Sequence, residues 1–312
     1  MKSLSIFITI GLIAIVKGQD PACQFETDSE GLLACKLTGG GIMPENRNKE
    51  IAGNPGADKT FADVQRVYSL EPASTDMIYS IFNNFVNLKK LELTNGIVEE
   101  LKQEMLYNCT KLEKLAINKG IIKTIDSNTF INCPALAEID LGKNTISGIL
   151  SGAFNGLPNL KTLNFNNNEL TNIQGSIFNV STLQSLDLSN NGLALTNRSI
   201  FTYTNELLSL NLAENGITLL VKEQFNGLSK LTELDFTNND LNATQDTALE
   251  YLEALQVAKF KSNNCIDKDY TDYSQSLFAG DFAVCIKNFN GASIMILSNL
   301  VLVVSVLIKL FN

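Results

Sequence analysis

The chain has 312 residues, with 24 Lys and Arg against 33 Asp and Glu, a formal net charge of -9 at pH 7 and no histidine. The missing imidazole excludes Ser-His-Asp triads, Cys-His pairs and histidine metal sites. The acidic balance disfavours nucleic acid and anionic membranes as partners. We therefore expect a protein that is not an enzyme and that has no catalytic residues, metal site, cofactor or nucleic-acid partner.

The first 18 residues have the pattern of a signal peptide. Lys2 precedes an apolar run from Leu4 to Val16, and the small residue Gly18 stands at the expected cleavage site. This run is too short to span the hydrocarbon core of a bilayer. We expect residues 1–18 to direct the chain into the secretory pathway.

A second apolar stretch lies near the carboxyl end, from Ile294 to Ile308. As a helix it would cover roughly 22 Å, short of the ~30 Å hydrocarbon core. This favours residues 291–312 as a removable signal for a glycosylphosphatidylinositol (GPI) anchor, with attachment at Asn290 or Gly291, over a transmembrane helix. Attachment near Gly280 would give the polar spacer that such signals have, but it would remove Cys285.

The middle of the chain is an internal repeat with a period of 24 residues and one deletion. Each copy contains an alternation such as Ile139-x-Leu141, which predicts a strand with one buried face. A unit this short cannot enclose its own apolar side, so the copies must stack into a solenoid with one parallel sheet. The copies, called coils below, begin at Val64, Leu88, Leu112, Leu136, Leu160, Leu183, Leu207, Leu231 and Leu255.

The consensus LxxLxLxxNxL, followed by xxIxxxxFxxLxx, resembles the extracellular type of leucine-rich repeat from about Val64 to Asn264. The resemblance implies an α/β-type curved solenoid, or horseshoe. Its parallel sheet would line the concave face, and its convex side would be irregular, 3-10 or short helical. It also implies two buried ladders, an asparagine ladder and a phenylalanine spine. Their members are Asn144, Asn168, Asn191, Asn215, Asn239 and Asn263, and Phe82, Phe130, Phe154, Phe178, Phe201 and Phe225.

Non-repetitive segments flank the coils and divide the chain into domains. We expect an amino-terminal cap at residues 19–63, about nine coils at 64–262 and a carboxyl-terminal cap at 263–290. Asp267, Asp269 and Asp272 in the second cap lack the glycine and terminal glutamate of the helix-loop-helix calcium motif. They predict a solvated loop.

In a secreted chain, the six cysteines form a disulfide framework. We expect bridges from Cys23 to Cys35 and from Cys265 to Cys285, because each pair belongs to one local segment. Cys109 and Cys133 occupy the same phase on adjacent coils and both point inward. They fit either a bridge or two small buried thiols.

Four glycosylation sequons follow the strands of their coils and fall on returning or convex parts, which would leave the concave sheet uncovered by sugar. Their asparagines are Asn108, Asn179, Asn197 and Asn242.

With the first Leu of a coil as position 1, side chains at positions 3, 5 and 7 face outward from the sheet. This face is either a polar docking surface for a partner with basic or hydrogen-bonding groups, or a solvated face with binding at an edge or loop. The candidate binding residues are Arg66, Tyr68, Glu92, Glu138, Asp140, Asn164, Asp187, Asn211, Glu233 and Asp235.

The resemblance suggests a cell-surface glycoprotein on the extracellular face of the plasma membrane, held by the lipid anchor or the carboxyl-terminal segment. Its solenoid would bind an extracellular protein or a glycan, as adhesion, receptor or innate-recognition members of the family do. A receptor role would need a coreceptor or a second copy of the chain. The alternative is a secreted matrix or scaffold protein that binds matrix polymers.

Overall fold

The computed structural model describes residues 22–38, 55, 59–69, 75–173, 177–194, 200–274 and 280–291. The expected signal peptide, the sequon at Asn197 and residues 292–312 of the expected attachment signal lie outside these residues. No helix in the described part of the chain is long and apolar enough to cross a membrane.

Each coil contributes one strand to a single sheet, and all nine strands are parallel. Equivalent positions pair in register, so that Leu163 lies between Ile139 and Leu186. The inward side chains are buried while their outward neighbours stay half exposed. This confirms the predicted leucine-rich-repeat solenoid. The strands are Arg66–Ser69, Lys90–Thr94, Lys114–Asn118, Glu138–Asp140, Thr162–Asn164, Ser185–Asp187, Ser209–Asn211, Glu233–Asp235 and Val257–Lys259.

The opposite side of the coils consists of short pieces. One α-helix, Thr75–Asn84, belongs to the first coil, and 3-10 helices occupy Gln103–Leu106 and Lys222–Phe225 in later coils. A further 3-10 helix, Phe61–Asp63, precedes the first coil. Two-residue strands form two small parallel sheets there: Glu100–Leu101, Thr124–Ile125 and Gly148–Ile149 in one, and Leu219–Leu220 and Ala243–Thr244 in the other.

All six phenylalanines of the expected spine are buried, but only Phe130, Phe154 and Phe178 stack on one another. The ring centroids of Phe130 and Phe154 are 5.8 Å apart and those of Phe154 and Phe178 are 6.0 Å apart, and both pairs are stacked. The rings are buried.

After the strands of the second to ninth coils the chain turns a corner at position 8, where the residue has a positive φ. The N–H of this residue donates to the position-7 carbonyl of the next coil, as from Lys143 to Asn166 at 2.8 Å. The left-handed conformation is uncommon for residues other than glycine, and asparagine tolerates it better than most. The corner residues are Asn95, Lys119, Lys143, Asn167, Asn190, Glu214, Asn238 and Ser262, with φ between 50 and 58°.

The asparagine at position 9 satisfies the backbone groups that the corner leaves unpaired. Asn215 Oδ1 accepts the N–H of Leu193 at 3.0 Å, and its Nδ2 donates to the carbonyls of Leu212 at 3.0 Å and Leu188 at 3.1 Å. One side chain thus joins its own coil to the preceding one. The same pattern confirms the expected ladder at Asn144, Asn168, Asn191, Asn239 and Asn263.

All six cysteines are bridged. The two local bridges are confirmed, with Cα separations of 5.3 Å for Cys23 and Cys35 and 5.2 Å for Cys265 and Cys285. The Cα atoms of Cys109 and Cys133 are 4.8 Å apart, and these two residues form the third bridge. This bridge ties two neighbouring coils together through the core.

The amino-terminal segment extends the sheet. Ala22–Thr27 and Leu33–Thr38 form an antiparallel hairpin, and its second strand runs parallel to Arg66–Ser69. The hairpin therefore covers the first coil with main-chain hydrogen bonds as well as apolar side chains.

At the carboxyl end, Asp269–Tyr270 pairs antiparallel with the last coil strand. Asp269 Oδ1 accepts the N–H of Phe260 at 3.1 Å, and Asp267 Oδ1 accepts the N–H of Ser262 at 2.8 Å. These are the N–H groups that in inner coils donate to the next coil's carbonyls. Asp267 is exposed and lies in a loop as expected, whereas Asp269 belongs to the strand Asp269–Tyr270, so the expectation of a solvated loop is wrong for Asp269. Both carboxylates, with the carbonyl of Lys268, accept N–H groups that a tenth coil would otherwise bind.

We expect Asn215→Ala to lower the free energy of unfolding by about 3 kcal/mol, because it leaves a buried N–H and buried carbonyls without partners. Urea unfolding followed by circular dichroism measures the loss. The control is Asn205→Ala at an exposed position, for which a change within about 0.5 kcal/mol is expected. Equal losses for the two variants would contradict the role of the ladder.

Candidate binding face

All ten candidate binding residues lie on the outward, concave side of the sheet and are half exposed. Their contacts divide them into three groups. Arg66, Tyr68, Glu92 and Glu138 belong to an amino-terminal group, Asp140, Asn164, Asp187 and Asn211 to a central group, and Glu233 and Asp235 to a carboxyl-terminal group.

The amino-terminal group forms a chain of ion pairs across adjacent strands. Arg66 contacts Glu92 at 2.5 Å and Asp28 at 3.2 Å. Lys114 then joins Glu92 at 3.5 Å to Glu138 at 2.9 Å. The Lys114 pairs are half exposed, and pairs that water can reach stabilise a fold only weakly, whereas the Asp28 side chain is only 4% exposed. The main effect of the ion pairs here is to neutralise the charges of this end of the face.

The acids that complete this chain come from the hairpin and were not recognised from the sequence. Burial alone would raise the pKa of Asp28, but two backbone N–H groups of its own turn and the guanidinium of Arg66 together lower that pKa below its ordinary value. The Tyr68 hydroxyl donates to Glu26, which raises the pKa of Tyr68 to about 12. Lys90 pairs with Glu30 at 2.5 Å. Glu26, Asp28 and Glu30 alternate along the hairpin. The sequence does not show which coil residues they face, because the register of the hairpin against the coils has to be known first.

The carboxyl-terminal group is also paired. Lys259 contacts Glu233 at 2.8 Å and Asp235 at 3.3 Å. The hydrogen bond from Lys259 to Glu233, opposed by burial and supported by Asp235, raises the pKa of the lysine.

The position-5 column has a structural role in the coils themselves. In each of five successive coils the Oδ1 atom accepts the backbone N–H two residues ahead, at 2.8 to 3.0 Å, an Asx turn that ends the strand. Either Asp or Asn can make this turn. The five donors are Gly142, Asn166, Ser189, Ala213 and Thr237, which bond to Asp140, Asn164, Asp187, Asn211 and Asp235 respectively.

The middle of the face remains free of ion pairs within the described part of the chain. We call this region the central window and define it as the outward side chains at positions 3 and 5 of three adjacent coils. It offers hydroxyl groups, amide groups and one carboxylate, from Asp187. Its members are Thr162, Asn164, Ser185, Asp187, Ser209 and Asn211.

The other candidate positions are separate from this face. Asn179 and Asn242 are exposed, and half-buried Asn108 donates through Nδ2 to the carbonyl of Phe82 at 3.3 Å. A sugar on Nδ2 would leave one hydrogen for this bond. Asn290 is exposed within the helical residues 283–291. The described ranges contain no group of three or more His, Cys, Asp or Glu side chains that could hold a metal ion.

Two substitutions of Asp187 distinguish the contribution of its Asx turn from that of its charge. We expect Asp187→Ala to lower the free energy of unfolding by about 1 kcal/mol, because the N–H and hydroxyl of Ser189 lose their acceptor. Asp187→Asn keeps the acceptor, so a change within about 0.5 kcal/mol is expected. Urea unfolding of both variants provides the comparison, and an equal loss in both would refute the turn's contribution.

Two family models match the repeats. One, described as a BspA type leucine rich repeat region, matches residues 59–182 in six copies, and the other, described as a leucine rich repeat, matches residues 181–241. No match was found among curated proteins.

Solved structures share the fold. The structure of a TLR13 complex with ssRNA13 aligns with a TM-score of 0.59 and 24% identity, over 67% of this chain and 30% of that one. A leucine-rich repeat protein of Leptospira interrogans aligns with a TM-score of 0.53 and 20% identity, over 67% of this chain and 52% of that one. The chain thus spans about a third to a half of these proteins, and at such identities the likeness shows the fold alone. The in-phase coils, the asparagine ladder and the matched models together establish that this chain is a leucine-rich repeat protein.

Proposed function

We propose that this protein is a non-enzymatic binding protein of the cell exterior, and that its central window docks a polar surface of an extracellular protein. The observation that supports this is the distribution of ion pairs. Both ends of the concave face hold their charges in internal pairs, whereas the described residues of the central window form none. A partner can therefore bind the window without breaking an existing ion pair.

The chemistry of the window suits a partner with hydrogen-bonding and basic groups. Hydroxyl and amide side chains both donate and accept, and the carboxylate of Asp187 favours a cation. The window has no Trp, Tyr or Arg, the residues that anchor most tight interfaces. Affinity would come from many polar contacts between matching surfaces.

The disulfides support an extracellular location, since three bridges in one chain are typical of proteins that fold in an oxidising compartment. The TLR13 structure contains single-stranded RNA. A net charge of -9 repels phosphates, so for this chain we propose a protein partner.

The attachment to the membrane is part of the same proposal. The apolar residues 294–308 follow the exposed Asn290 closely, and a lipid anchor there would hold the solenoid at the outer surface of the cell. A secreted matrix protein is the alternative to this arrangement.

Proximity labelling on living cells tests the window. Ser185 and Ser209 pair on adjacent strands of the window, so Ser185→Arg with Ser209→Arg would place two long cations in it. We expect the double variant to label the partner at least tenfold less than the unmodified chain. The matched control is Gln184→Arg with Leu208→Arg, one residue earlier in the same coils at exposed positions. Equal labelling by all three chains would refute docking at the window.

Release from the cell surface tests the anchor. Phosphatidylinositol-specific phospholipase C cleaves the lipid of such an anchor, and we expect it to move most of the chain into the medium. Antibody detection of the cell-bound and released pools gives the answer. A pool that stays in the matrix after treatment would favour the matrix alternative.

A further inference from the structure

One glycosylation sequon has a cysteine of the core bridge as its middle residue. The sequon is Asn108-Cys109-Thr110, and Cys109 is joined to Cys133 of the next coil. The following coil has the same Asn-Cys pair, but a proline comes after it, so no second sequon arises there. Three consecutive residues are therefore the substrate of two different covalent modifications.

In the folded chain this sequon is tied to the core. The Asn108 side chain is half-buried, and its Nδ2 donates to the carbonyl of Phe82 at 3.3 Å. Cys109 is only 2% exposed, and its carbonyl accepts the N–H of Leu112 at 3.0 Å. A glycosyltransferase has to contact the asparagine amide and the threonine hydroxyl together, on a segment that enters its own active site. The bridged and packed coil cannot present the segment in this way.

The other two described sequons lack this covalent lock. Asn179 and Asn242 are exposed, and neither sequon contains a cysteine. Packing closes them in the folded chain, since Val180 and Thr244 are buried. Packing is reversible, however, and no covalent bond has to break for these sequons to open again. Their sugar content therefore reports entry into the glycosylating compartment and the general rate of folding, but not oxidation.

The Asn108 sequon stays open only until the bridge closes. At a synthesis rate of about 5–20 residues per second, Cys133 follows Cys109 by roughly 1 to 5 s, because the two are 24 residues apart. Disulfide formation takes seconds to hours. The open interval is therefore set by the oxidation of the two cysteines more than by the synthesis of the chain.

Both reactions have defined co-substrates. In glycosylation, Asn108 Nδ2 forms a bond to the anomeric carbon of an oligosaccharide carried on a lipid diphosphate. The diphosphate leaves with the electron pair of the broken bond, and the amide proton passes to solvent. In bridge formation, the two thiols give up two protons and two electrons to the disulfide of an oxidoreductase, which becomes a dithiol.

The order of the two reactions matters in one direction only. A sugar on Asn108 Nδ2 leaves one hydrogen for the carbonyl of Phe82, so a glycosylated chain keeps this hydrogen bond and can still close its bridge. A chain that closes its bridge first no longer presents the sequon.

We propose that closure of the bridge between Cys109 and Cys133 decides whether Asn108 carries a sugar. The mature protein is then a mixture of two forms, both bridged, one with a sugar on Asn108 and one without. The share of the glycosylated form reports how fast the compartment oxidises the chain. This inference rests on the proposed entry into the secretory pathway, but not on docking at the central window or on the lipid anchor.

Peptide mass spectrometry tests the proposal on the full chain expressed in cultured eukaryotic cells. Enzymatic release of the sugars in heavy-oxygen water marks every glycosylated asparagine. We expect the occupancy of Asn108 to be at least twofold below those of Asn179 and Asn242. Cys133→Ala, which leaves the sequon intact and puts a small apolar side chain in the core, should raise the occupancy of Asn108 at least twofold. Total cell protein is measured, so a variant that is retained in the cell is also counted.

A matched variant separates the local bridge from a general loss of stability. Cys265→Ala with Cys285→Ala removes a bridge of the carboxyl-terminal cap, and it should leave the occupancy of Asn108 unchanged. Alkylation of the glycosylated form of the unmodified chain, denatured but not reduced, should find no free thiol.

Three results would overturn the proposal. The first is an unchanged occupancy of Asn108 in Cys133→Ala, and the second is an equal rise in the cap variant. The third is a pair of free thiols in the glycosylated form, since the sugar would then exclude the bridge. If Asn179 and Asn242 carry sugar, these results contradict this inference alone. A chain without sugar at Asn108, Asn179 and Asn242 would contradict entry into the secretory pathway and this inference together.

Discussion

The architecture depends on hydrogen bonds that join each coil to the next at the corner after the strand. The chain turns there at a residue that is exposed in most coils, and the backbone groups that face inward lie beside an apolar core. The left-handed residue at position 8 turns its N–H toward the following coil, and the asparagine at position 9 takes up the remaining groups, as Asn215 does with both its own and the preceding coil. Apolar packing alone would fix the spacing of coils only loosely, whereas these bonds fix their register.

Because every coil makes the same hydrogen bonds to the next, the residues that make them recur in the sequence and could be predicted from it. The period, the buried Leu and Phe positions and the asparagine ladder are repeated many times, so each copy supports the assignment of the others. The sequence leaves the bridge between Cys109 and Cys133 open, because this position of the repeat fits either a bridge or two small apolar side chains. The hairpin strand Leu33–Thr38, which pairs with the first coil, was not predicted because it does not belong to the repeat.

The position-5 column shows a different limit. Alternating Asp and Asn first suggest a pattern of charge, but Asp140 and Asn164 make the same Asx turn, and the shared requirement is one oxygen acceptor. Five copies with only Asp or Asn were a readable signal of turn chemistry. The ion pair of Arg66 with Asp28 was not readable, because Asp28 comes close only when the hairpin is placed on the sheet. The repeat period gives the register of one coil against the next. The hairpin is not part of the repeat, so the sequence does not give its register against the first coil.

The two carboxylates at the carboxyl end determine how the solenoid stops. Inner coils offer N–H groups that a following coil binds, so an unfinished last coil would present the same groups to a coil of another molecule. Asp267 and Asp269 occupy these groups from within the same chain. End-to-end stacking of separate molecules would have to displace both carboxylates first. The last coil is therefore closed by groups of its own chain, which leaves these N–H groups unavailable for pairing with another molecule.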